Sequence, residues 1–150
     1  MSTFSSLDEL RDGAGSHLGT AGPIRLTQER IDGFAAVTDD HQWIHVDPVR
    51  AADGPFGATI AHGYLTLALA APFLEQLLRV QGVSAALNYG IESARFPAPV
   101  PSGSEVSASG ELVAVTDKPG GAEARVVLTM TIPGGSKPVC VATIIIRYLD

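Results

Sequence analysis

The run Tyr64–Leu74 constrains this chain most. It carries no charged side chain on any face, and only beyond it do Glu75 and Arg79 appear at i, i+4 spacing. A helix that is apolar all round is one surrounded by protein. Extended to Val80, such a helix is about 25 Å long at ~1.5 Å per residue, enough to thread a small domain. Pro72 should kink it or remove one hydrogen bond. A bilayer span needs about 20 predominantly apolar residues. The uncharged stretch from Ala58 to Leu74 is interrupted by His62-Gly63, so it reads as a buried element and no membrane partner is expected. The remaining residues must supply its cover. With 150 residues, 45% hydrophobic and 17% charged, the chain is expected to form one domain over 1–150 with a substantial core.

The cover is legible after Gly82. Ala85–Phe96 reads as a strand, and Glu105–Thr116 alternates Val106, Ala108, Leu112 and Ala114 against Ser107, Ser109 and Glu111. Glu123–Ile132 places Ala124, Val126, Leu128, Met130 and Ile132 on one face, and Val139–Leu149 is β-branched through its middle. Asp117–Gly121 and Pro133–Pro138 are Gly- and Pro-rich connections of hairpin type. Consecutive hairpins give an antiparallel sheet, and the buried helix belongs on its concave face, an α+β architecture. Ile144–Ile146 offers apolar side chains to both faces of that sheet, which pairing of two copies would satisfy; a homodimer is expected.

The front half begins with a helix from Thr27 as N-cap through Val37, striped by Ile31, Phe34, Ala35 and Val37. It should stop near Thr38-Asp39-Asp40, and from there to Ile60 the chain reads as loop. The first thirty residues carry little chemistry. Met1–Gly15 lacks the apolar core of a signal peptide, so a cytoplasmic location is the expectation. Cys140, the one cysteine, leaves no intrachain disulfide framework and sits mid-strand as a buried, inert thiol. Ten basic against sixteen acidic residues, a net charge of −6, argue against a nucleic-acid partner.

Three of the four histidines, His41, His45 and His62, crowd one short stretch. Asp40 and His45 are five apart, which on a continuous helix would turn them about 140° from each other. In a turning segment they can converge on one water molecule, as an acid–base pair requires. A solvated turn is the plainer reading of the same residues. A metal site of Asp40, His41, His45 and His62 is a third, weakened by the lack of any HxH or HExxH spacing. His62-Gly63 opens the uncharged helix, where free backbone N–H groups suit a carbonyl oxygen gaining negative charge. Gly63 would let a ligand approach the backbone, or would simply pack against the sheet. His62 has a capping or core role as its alternative.

Together, the helix from Thr27, the segment Thr38–His45, Asp47-Pro48, Phe56-Gly57-Ala58-Thr59-Ile60-Ala61-His62-Gly63 and Arg95-Phe96-Pro97-Ala98-Pro99-Val100 resemble the MaoC-like dehydratases, the (R)-specific enoyl-CoA hydratases of the hot-dog fold. The resemblance runs from Thr27 to Tyr148 and is strongest to the NodN-like, single-hot-dog members of actinobacterial type. It implies that Asp40 and His45 activate the water that adds to the β-carbon of a trans-2-enoyl thioester, and that the Gly63 N–H holds the thioester oxygen. It implies an acyl-CoA substrate, or one on acyl carrier protein, no metal and no cofactor, and a dimer whose two sheets become one. Gln42, Phe56, His62 and Tyr64 are the expected substrate-binding residues, Gln42 through its amide and Phe56 and Tyr64 through their bulk beside the acyl chain. Two positions depart from the family pattern: Asp39 stands for its usual Gly, and Gln42-Trp43 for its usual Asn and Pro. The other readings on the same residues are a non-catalytic or partner-dependent acyl-binding subunit and a hot-dog thioesterase.

Overall fold

Alternating sequence makes strands throughout the back half of the chain, and the computed structural model, which describes residues 1–150, joins them into one sheet. In chain order the elements are β1 Ser2–Phe4, α1 Leu7–Asp12, β2 Ser16–Arg25, α2 Gln28–Thr38, α3 Trp43–Val46, α4 Pro48–Ala52, α5 Gly63–Ala68, α6 Ala70–Leu77, β3 Leu78–Val80, β4 Ala85–Arg95, β5 Glu105–Lys118, β6 Gly121–Thr131 and β7 Cys140–Leu149. The main sheet is antiparallel in the order β2-β5-β6-β7-β4. Its inner face carries the alternate set expected for β6: Ala122, Ala124, Val126, Leu128 and Met130 face Cys140, Ala142, Ile144, Ile146 and Tyr148 of β7 in one buried layer. Strand β5 departs from simple alternation. A bulge at Val113 shifts the phase, so that Val115 rather than Ala114 pairs with the buried Ala124, while Val113 turns out to 46% exposure.

The uncharged helix packs on this layer through Phe73, Leu74 and Leu77, with Phe73 and Leu77 fully buried. Gly110 of β5 lets it come close, since a Cβ there would stand 2.9 Å from Leu77 Cδ1. Three features differ from the expectation of one long, fully buried helix ending at Val80. The helix is two segments, α5 and α6, meeting at Leu69, where the chain turns tighter and Leu69 N bonds Thr66 O. Pro72, which has no N–H to return to the turn before it, accounts for the break. The helix also stops at Leu77, because Leu78–Val80 pairs in parallel with Ser2–Phe4. It is not enclosed on all sides: Tyr64 is 73% exposed, and Ala68 and Ala71 are exposed beside it.

Strand β2, which pairs with β5 along the sheet's other edge, lies in the part of the sequence that gave no signal. Helix α2 is capped as expected, Thr27 accepting from Arg30 N, and buries Ile31 and Ala35, but Val37 is 81% exposed and outside its stripe. Its C-cap is Asp39, in the left-handed conformation at φ 59°. The expected loop that follows contains two short helices. Asp47 caps the second by accepting from Arg50 N, with Pro48 at its first position.

Candidate active site

Helix α2 ends in a left-handed turn at Asp39, and α3 begins four residues later at Trp43, so the chain doubles back between Asp40 and His45. That reversal brings the two side chains to one place: an Asp40 carboxylate oxygen and ring nitrogens of His45 and His62 all lie within 4.8 Å of one another. His45 is buried, 6% exposed, and fixed from three sides. Its Nδ1–H donates to Ile60 O at 2.7 Å, which leaves Nε2 as the ring's lone-pair atom, without a partner in the protein. Ile60 N in turn donates to Ile44 O, locking the two segments together. The His45 carbonyl accepts from Gln28 Nε2 at 2.7 Å. Burial lowers the His45 pKa from its ordinary value and the charge of nearby His62 adds to that; the bond to Ile60 and the Asp40 carboxylate oppose it without reversing it. The resting ring is thereby favoured in its neutral, proton-accepting form.

His62 is buried more deeply, at 2% exposure. Its ring stacks on His45 with centroids 3.8 Å apart and planes 27° from parallel, and Phe34 lies tilted against it at 5.0 Å. Its Nε2–H donates to Asp40 O at 2.9 Å, and its Nδ1 is buried without a partner. The next residue, Gly63, starts α5. The first bond into that helix runs from Thr66 N to His62 O, and the N-cap supplies no side-chain acceptor to the N–H groups ahead of it. A Cβ on Gly63 would meet the Phe96 ring at 3.2 Å, so glycine is what lets Phe96 lie over the helix start. His45, Gly63, Phe56, Thr66, Phe96 and Val139 line one cavity of about 300 Å³.

The other expected site residues fall in different places. Phe56 lines the same cavity as His45 and is 46% exposed. Gln42 is exposed at the start of α3 and makes no side-chain hydrogen bond. Tyr64 faces away, into a separate groove of about 470 Å³ between the helix and β4 that also contains Leu74 and Ile91. His62 stacks behind His45 and does not line the cavity. His41 is exposed and outside the cluster. Asp40, His45 and His62 have the spacing of a metal site, but the two rings are stacked. A cation in the plane of one imidazole would lie well out of the plane of the other, a poor arrangement for two nitrogen ligands. Cys140 is buried and its thiol is pushed up to about 11, which keeps it protonated and unreactive.

Sequence reasoning missed Gln28 and Thr59. Gln28 bonds the His45 carbonyl with its amide nitrogen and accepts from the Thr59 hydroxyl with its amide oxygen, so one side chain from α2 ties α3 to the segment before α5. The one available signal was a polar residue directly after an N-cap, which reads as an ordinary helix start.

The chain matches the family described as "MaoC like domain" over residues 11–131. It is 50% identical over 150 residues, covering 99% of each chain, to 3-hydroxyacyl-thioester dehydratase Z of Mycobacterium tuberculosis. It is 45% identical over 103 residues to nodulation protein N of Rhizobium leguminosarum, covering 67% of this chain and 64% of that one. Among solved structures, the (R)-hydratase of Aeromonas caviae superposes with a TM-score of 0.72 at 27% identity, covering 86% of this chain and 94% of that one.

Proposed function

This chain belongs to the MaoC-like dehydratase family, hydratases and dehydratases of the hot-dog fold, and from that premise we propose that it hydrates trans-2-enoyl-CoA to (R)-3-hydroxyacyl-CoA and catalyses the reverse dehydration. One observation carries the reading: a neutral, buried His45 with a free Nε2 stands beside the Asp40 carboxylate and shares a cavity with the backbone N–H of Gly63.

In the proposed reaction a water lies between Asp40 and His45. Asp40 accepts one O–H and orients it. His45 Nε2 takes the other proton as the water oxygen forms its bond to the β-carbon. The electron pair of the C=C bond moves toward the thioester, whose oxygen gains negative charge and is held by the Gly63 N–H. The proton on His45 then passes to the α-carbon, so that the elements of one water are added and both groups return to their starting state. The stereochemical expectation is drawn from the A. caviae relative, whose description is an (R)-hydratase.

A second copy of the chain completes the proposal. Strand β4 is the open edge of the sheet and exposes Leu87, Tyr89 and Ile91 at 48%, 63% and 51%, beside the groove that also holds Tyr64. Pairing of two β4 strands would cover these side chains and continue the sheet. Sedimentation equilibrium should give twice the chain mass.

Loss of the enoyl-thioester absorbance of crotonyl-CoA tests the reaction, with chiral analysis of the product. Turnover by the parent, a drop of about 10³-fold in Asp40→Asn and in His45→Gln, and an (R) product are expected. Free CoA in place of a hydroxyacyl product would point to the thioesterase instead. No turnover with short or long enoyl chains would favour the partner-dependent subunit.

A further inference from the structure

His62 is the one buried histidine that the reaction above does not use. It is also the point at which the three reacting groups meet in the chain. Its side chain reaches back twenty-two residues to the Asp40 carbonyl at 2.9 Å, its ring supports the His45 ring at 3.8 Å, and its own peptide leads directly into Gly63. The other links between these two stretches, Ile60 N to Ile44 O and His45 Nδ1–H to Ile60 O, join α3 to residue 60 and leave Asp40 untouched. The Asp40 backbone lies in an exposed turn, between the end of α2 and the start of α3, and the only side chain bonded to its carbonyl is that of His62. His62 is itself 2% exposed, so its ring N–H has no solvent to turn to in place of that carbonyl. His62 itself is anchored, since its carbonyl accepts from both Thr66 N and Thr66 Oγ1.

We propose that His62 is a positioning residue that sets the separation between the Asp40–His45 pair and the Gly63 N–H, clamping Asp40 through its Nε2–H and bracing His45 by stacking. The assignment rests on the hydratase reading for its kinetic consequence, though not for its structural one. Aligned geometry contributes steeply to rate, and a displacement of about 1 Å can cost about 10²-fold. The stack also bears on His45 electrically. Asp40 in the turn and His62 before α5 are the titratable groups whose charge reaches His45, while Gln28 and Ile60 offer it only neutral groups. Loss of the second imidazole removes one influence that holds His45 in its neutral form.

Two variants separate the two contacts. His62→Phe keeps a ring against His45 and removes the donor to Asp40; His62→Gln keeps an amide N–H near the Nε2 position and removes the ring. Each is compared with the parent in kcat and KM for crotonyl-CoA hydration, in thermal melting, and in the side-chain NMR titration of His45. The expected result is a fall in kcat of about 10- to 100-fold for His62→Phe, with KM within about threefold, and a smaller fall for His62→Gln. In His62→Gln the His45 titration midpoint should move to higher pH. Values of kcat within twofold of the parent in both variants overturn the proposal. So does a loss of activity that tracks the loss of folded protein, or an unmoved His45 titration in His62→Gln. If His62→Phe does not fold, the His62→Gln titration and kcat decide alone. If the parent itself shows no turnover, the hydratase reading fails, and the NMR comparison still decides whether His62 holds His45.

Discussion

Asp39 provides the sharpest test of how this site is built. A carboxylate next to Asp40 suggests an electrostatic role, whereas the structure gives Asp39 a conformational one: it is exposed, and it ends α2 at φ 59°. For an ordinary L-residue the left-handed conformation costs about 1–2 kcal/mol, with Asn and Asp relieved in part by local hydrogen bonding. Asp39→Asn therefore deletes the charge and keeps the tolerance, and should leave stability within about 0.5 kcal/mol of the parent. Asp39→Ala keeps no tolerance and should lose about 1 kcal/mol. Asp39→Gly escapes the steric cost but gives up about 0.5–1 kcal/mol of backbone entropy, so it should lie at or slightly above the parent. In a chain of this size 1 kcal/mol moves the melting temperature by about 2–4 °C, which thermal unfolding resolves. The expected order is Gly, then Asp and Asn together, then Ala. Kinetics should follow the backbone too, with kcat of Asp39→Asn at the parental value. Asn and Ala shifting together would refute the conformational argument and restore the electrostatic one.

The remaining expectations concern the cavity and the core. If neutral His45 accepts the proton, protonation abolishes activity; because its pKa lies below the ordinary 6.5, the acid limb of kcat/KM should have its midpoint below pH 6.5. A midpoint above that value would place the proton acceptor elsewhere. Gly63→Ala puts a methyl 3.2 Å from the Phe96 ring, and the ring must yield by a few tenths of an ångström. The expected cost is about 1 kcal/mol in urea unfolding, with kcat/KM down more than tenfold. Adding Phe96→Leu should recover the stability and not the turnover if the methyl blocks the N–H rather than the fold. Phe73→Ala, at a fully buried contact between helix and sheet, should cost about 3–5 kcal/mol by the same unfolding measurement.

The sheet was legible because three of its strands alternate or carry a β-branched run, and the turns between them are dense in Gly and Pro. Strand β2 was not. Its sequence, Ser16–Arg25, has two glycines and a proline and buries only Leu18 and Ala21, so its membership depends on the neighbouring β5 rather than on its own pattern. The uncharged helix was visible, but the inference that nothing charged means enclosed on every side was too strong. Tyr64, Ala68 and Ala71 form an open apolar side next to β4, and within one chain a sequence cannot separate a face covered by its own sheet from a face left open. At the site, Asp40 and His45 stood out by residue type. Gln28 and Thr59 did not, because their contribution is made by hydrogen bonds to positions seventeen and thirty-one residues away from Gln28.

The proposed acid–base pair is held through three backbone carbonyls, and the tolerance of the site to substitution follows from that. His45 Nδ1–H finds the carbonyl of residue 60, His62 Nε2–H finds the carbonyl of residue 40, and Gln28 holds the carbonyl of residue 45. A carbonyl is present whatever side chain the residue carries, so the tautomer of His45 does not depend on the identity of residue 60. It depends on where the chain puts that peptide, and the bond from Ile60 N to Ile44 O holds it in place. The side chains around the cavity can then change size without altering which nitrogen of His45 is free. What the arrangement does not tolerate is movement of the chain itself. The residues that fix the course of the backbone, Asp39 in its left-handed turn and His62 at the start of α5, thus bear on the chemistry although neither lines the cavity.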